Sequence, residues 1–80
     1  MHEAKLCLSL LDLADASRRR AGAARIVAVE LAVGTWSGVV PEALAAAFPL
    51  CAAGTPADGA ALRIARTEGR DLVLRTIEVA

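Results

Sequence analysis

The stretch Arg25-Ile26-Val27-Ala28-Val29-Glu30-Leu31-Ala32-Val33 decides the fold. Val27, Val29, Leu31 and Val33 alternate with Ala28, Glu30 and Ala32, the period-two pattern of a strand with one buried face. N-terminal to it the period is different. Over Glu3–Ala21, Leu6, Leu10, Leu13 and Ala14 recur at helical spacing, and Cys7 and Leu11 widen the stripe. Lys5, Ser9, Asp12 and the Arg18-Arg19-Arg20 run fall largely on the other side, and Gly22 is placed to end the helix.

C-terminal to the strand, Gly34 closes it and Thr35-Trp36-Ser37-Gly38 forms a turn. Pro41 suits the first turn of a second helix, with Glu42 beside it and Leu44 and Phe48 facing inward. Pro49 lacks an N–H for the carbonyl of Ala45 and predicts a kink or an end near Phe48, the chain leaving through Gly54-Thr55-Pro56. Ala60–Arg66 is a short strand with Leu62 and Ile64 inward, and Thr67-Glu68-Gly69-Arg70 reads as a tight connection between two strands. In the last strand, Asp71–Val79, the apolar phase runs Leu72, Leu74 and then shifts to Ile77, Val79, predicting a bulge near Arg75-Thr76. The expected fold is α+β, in the order α-β-α-β-β, with two helices on one face of a three-stranded sheet.

Eighty residues fit one domain, spanning 1–80, that buries only about 60% of its unfolded surface. The chain is 56% hydrophobic with Trp36 and Phe48 its only aromatics, so its core is built from Leu, Val, Ile and Ala. Nine basic and nine acidic residues cancel, which argues against a nucleic-acid partner. The arginine run is better read as complementing a helix C-terminus. No apolar run approaches the roughly 18 residues of a membrane span, and acidic Glu3 with no cleavage pattern disfavours a signal peptide. A cytoplasmic location follows as the expectation. There, Cys7 and Cys51 are reduced and read as isolated small core residues.

The residues favour binding over catalysis. There is one histidine, no tyrosine and no Gly-rich phosphate loop, and Ser9, Ser17 and Ser37 lack the surroundings of an activated nucleophile. Ser37 reads as a turn or cap residue. Trp36 is open to two readings, an anchor for a partner or a cap on the sheet end. No enzymatic role is expected.

The single histidine, His2, adjoins the amino terminus. Its imidazole and the α-amine of Met1 can reach one ion, and the intervening peptide nitrogens of His2 and Glu3 can complete a planar set. Four nitrogens in a plane suit Ni(II) or Cu(II) rather than tetrahedral Zn(II). A histidine at position 2 is more often an incidental residue than a metal ligand, and position alone favours that bland reading.

The wider sequence changes that balance. Met1-His2-Glu3, followed by Leu6-Cys7 and Leu10-Leu11, resembles the opening of the HypA/HybF family. The stretch from Gly34 through Ser37-Gly38-Val39 and Pro41-Glu42 to Leu44 is similar to that family's G-x-x-S-G-V-x-P-E-x-L, and Gly54-Thr55-Pro56 and Gly69-Arg70-Asp71-Leu72 also correspond. The resemblance implies a nickel carrier for [NiFe]-hydrogenase maturation, and in some members for urease, acting with a nickel-insertion GTPase of the HypB type on the hydrogenase large subunit. It implies that Met1, His2 and Glu3 hold Ni(II), through the amino terminus, the imidazole and backbone nitrogens.

The resemblance has a gap. Family members carry a zinc module with two C-x-x-C pairs between the last two strands. Here the chain runs from Arg66 through Thr67-Glu68-Gly69 directly into the final strand, so the module would fall near 66–70 and no zinc is expected. Without it, a metal-independent adaptor docking on the GTPase or a hydrogenase subunit is the alternative function. A terminal strand left on the sheet edge also makes a homodimer by strand exchange an expectation.

Overall fold

The computed structural model describes residues 2–80, the side chain of His2 excepted. Its elements are α1 (His2–Ala21), β1 (Ile26–Gly34), α2 (Pro41–Ala52), β2 (Ala61–Thr67) and β3 (Leu72–Val79). The sheet order is β2-β1-β3, with β2 parallel and β3 antiparallel to β1. The expected α+β order and one-sided helical layer are both present.

Helix α1 stops as its glycine requires. Gly22 adopts φ 68°, its N–H bonds to the carbonyl of Arg19, and the Ala23 N–H bonds to that of Arg18. This pair of bonds is a Schellman ending. Cys7, Leu10, Leu11 and Ala14 form the buried stripe. Leu13, expected inward, is 59% exposed: at 100° per residue the stripe centres between Cys7 and Ala14, and Leu13 falls beyond its edge.

The central strand contributes more buried residues than any other element, with Val29, Leu31 and Val33 buried as expected. Val27 is exposed and Ile26 takes its place inside. The cause is a bulge: Ile26 pairs with Val79 and Ala28 with Glu78, leaving Val27 as the extra residue. A second shift lies on β3, where Glu30 pairs with Thr76 and Leu31 with Leu74, leaving Arg75 unmatched. That is the bulge the apolar phase of the last strand predicted.

Two expectations are corrected. Of the kink or end expected near Phe48, the end is not found: helix α2 runs through Pro49 to Ala52. Pro49 is exposed in the last turn, where its missing N–H forfeits a single bond, while Phe48 and Ala52 pin that turn in the core. The segment after β2 is not a hairpin turn, because β2 and β3 lie on opposite sides of β1. Residues 68–71 instead pass over the C-terminal end of β1. Trp36 N–H bonds to the carbonyl of Gly69 at 2.7 Å, and Gly34 N–H to that of Asp71 at 2.9 Å. A Cβ on Gly34 would lie 2.6 Å from the Gly69 oxygen, so the crossing requires glycine there.

Candidate metal centre

Glu3 lies in the first turn of α1, where its charge complements the helix N-terminus, and its side chain is half-buried. Met1 and the side chain of His2 lie outside the described residues, so the grouping of Met1, His2 and Glu3 is given only as far as the helix start at His2 and the place of Glu3. Among the described residues no three His, Cys, Asp or Glu side chains gather as a metal-binding group.

One turn beyond Glu3, the sequence reading missed a contact. Cys7 and Cys51, treated as isolated thiols, sit together where α1 meets α2. The Sγ of Cys7 donates to the carbonyl of Leu44 at 3.8 Å, and that of Cys51 to the carbonyl of Ala4 at 3.9 Å. Burial pushes the Cys7 thiol up to about 11, with Cys51 and then Glu3 adding to the shift. The only sequence signal was that each cysteine falls on the apolar stripe of its helix.

The other singled-out residues have structural roles. Arg18 bonds Asp15 at 2.6 Å and the carbonyl of Ala23 at 3.0 Å, Arg19 reaches Asp15 at 3.1 Å, and Arg20 reaches Ser17 at 3.1 Å. The arginine run thus fastens the end of α1. Arg18 holds the Asp15 carboxyl below its usual range, and Arg66 does the same to Glu42. Ser37 Oγ accepts the Val39 N–H at 3.2 Å, a turn role. Trp36 is 75% exposed and so does not cap the sheet. No described helix is long and apolar enough to cross a membrane.

A one-sided layer of two helices on a mixed three-stranded sheet is the architecture of a solved nickel metallochaperone. The solution structure of the Ni metallochaperone HypA from Helicobacter pylori superposes with a TM-score of 0.79 at 14% identity, covering 96% of each chain, which establishes the shared fold. Residues 1–78 match the family described as "Hydrogenase/urease nickel incorporation, metallochaperone, hypA", and the chain belongs to that family. It is 58% identical over 69 residues to the hydrogenase maturation factor HypA of Deinococcus radiodurans, covering 86% of this chain and 58% of the relative. It is 48% identical over 64 residues to the HypA of Chlorobium limicola, covering 80% of this chain and 55% of that one. The chain thus spans little more than half the length of these relatives.

Proposed function

We propose that this chain is a nickel-handling unit, residues 1–80, that holds Ni(II) at its amino terminus for hydrogenase maturation. The ligands are the α-amine of Met1, the imidazole of His2 and the backbone nitrogens of His2 and Glu3. Family membership is the observation that carries the reading. The start of α1 at His2 supports it: the first N–H groups of a helix have no intrahelical acceptor, so a metal on those nitrogens breaks no helix hydrogen bond. The chain acts in the cytoplasm as a carrier and not an enzyme, with a HypB-type GTPase and the hydrogenase large subunit as partners. The family's zinc module, absent from this chain, would attach at the 66–70 passage.

The test is a Ni(II) titration followed by the d–d absorption of a planar site. The native-start protein should bind, and His2→Ala or a residue added ahead of Met1 should weaken binding at least about tenfold. Equal binding by native and His2→Ala protein removes His2 from the account. Affinity should fall as pH falls, because protons compete with the metal for the amine and imidazole nitrogens.

A second reading rests on exposed Trp36, a side chain suited to anchoring a partner. In it the chain is a metal-independent adaptor on the same GTPase. Nickel and partner must affect each other's affinity equally, so a GTPase affinity unchanged by nickel selects the adaptor.

A further inference from the structure

The fold joins two thiols that lie far apart in the sequence and gives only one of them access to solvent. Cys7 on α1 is fully buried, Cys51 on α2 is half-buried, both are free, and both thiols sit in the seam where α1 packs on α2. Each also points its Sγ at a backbone carbonyl of the opposite helix, Leu44 for Cys7 and Ala4 for Cys51. Cys51 lines a surface groove of about 230 Å³ whose walls are Leu8, Leu11 and Asp12 of α1 and the Thr55–Ala57 turn after α2. A small molecule in the groove therefore meets Cys51 first, with Cys7 behind it.

We propose that Cys7 and Cys51 are a reversible dithiol–disulfide pair, closed by a small organic disulfide that enters the groove and reopened by thiols. The Cys51 thiolate attacks one sulfur of the organic disulfide, forming a mixed disulfide and releasing one thiol. Cys7 then gives up its proton and attacks the Cys51 sulfur, forming the Cys7–Cys51 bond and releasing the second thiol. Two protein thiols lose two electrons and two protons, and one organic disulfide becomes two thiols. The product ties α1 to α2 one turn beyond Glu3. No third His, Cys, Asp or Glu joins the two thiols among the described residues, which favours redox chemistry over a thiolate metal site.

The full chain, reduced and then treated with excess cystamine, provides the test by intact mass and free-thiol counting under denaturing, non-reducing conditions. Wild type should become a single covalent chain lighter by two hydrogen masses, with neither thiol free, and dithiothreitol should restore both. Cys7→Ala should stop with one cysteamine on Cys51, and native Cys51→Ala should not react over the same period. A wild-type chain that stops at the mixed disulfide, cross-links to a second chain or fails to react overturns the pair. None of these readouts involves nickel, so the result stands apart from the proposed metal site.

Discussion

At Cys7, burial and charge act in the same direction. The thiol is wholly inside the protein with Cys51 and Glu3 nearby, and its pKa is pushed up from 9.0 to about 11. Below about pH 9 the thiol is protonated in folded and unfolded chains alike and contributes no pH dependence. Between about 9 and 11 the unfolded chain releases a proton that the native chain keeps, so stability falls as pH rises. The loss should reach on the order of 2–3 kcal/mol by pH 11. Urea unfolding at several alkaline pH values should show this slope in wild type and not in Cys7→Ala; parallel slopes would remove Cys7 as its source. The proposed nickel ligands contrast with this residue in how they are read. Sequence spacing can mark a set of side-chain ligands, but a terminal amine and two peptide nitrogens belong to every chain. His2 therefore gained its meaning from the family resemblance, while the Cys7–Cys51 contact was hidden because it depends on how two helices meet.

The elements differ in how far local pattern determines them. The period change at Arg25–Val33 and the phase shift along β3 were legible because alternation marks which residues face the core. The exposure of Val27 was not, since a bulge depends on the partner strand, and the β3 partners that flank it, Glu78 and Val79, are 50 or more positions from the residues they pair with. Pro49 shows tertiary packing overriding a local breaker. Its side chain is exposed, so Pro49→Ala should restore the missing hydrogen bond without loss of packing. We expect a net stabilisation of about 1–2 kcal/mol, the bond and relieved crowding being partly offset by a freer unfolded chain. Thermal unfolding would register this as a higher Tm, and an unchanged or lower Tm would show that the turn already accommodates the ring. At Gly34 the opposite sign is expected. A Cβ there would meet the Gly69 oxygen at 2.6 Å and the Asp71 oxygen at 3.0 Å, both backbone atoms with little freedom to retreat. Gly34→Ala should cost about 1–3 kcal/mol in denaturant unfolding, and a neutral result would mean that residues 68–71 do not pass so close to β1.

For the whole molecule, the order β2-β1-β3 has a consequence that the linear order of elements did not disclose. The last strand is an edge strand paired along β1, and it is joined to β2 by only the four residues between Thr67 and Leu72. Those residues must cross the end of β1, held by the Gly69 and Asp71 carbonyls. If β3 moves to the β1 of a second copy, every ladder bond is remade in identical form, so exchange loses no native contact and is governed by the hinge. A short, constrained hinge favours exchange because opening it relieves the turn, whereas a longer one lets β3 fold back on its own chain. We therefore expect a concentration-dependent dimer of the 8.2 kDa chain in size exclusion with light scattering. Inserting a flexible Gly-Ser segment between Glu68 and Gly69 should shift the population toward monomer without altering the sheet. The family resemblance places the zinc module at this same crossing, where an inserted domain would act as such a spacer. A chain that stays monomeric at all accessible concentrations would show that the crossing holds β3 in place, and the free edge of the sheet would then be left to a different partner.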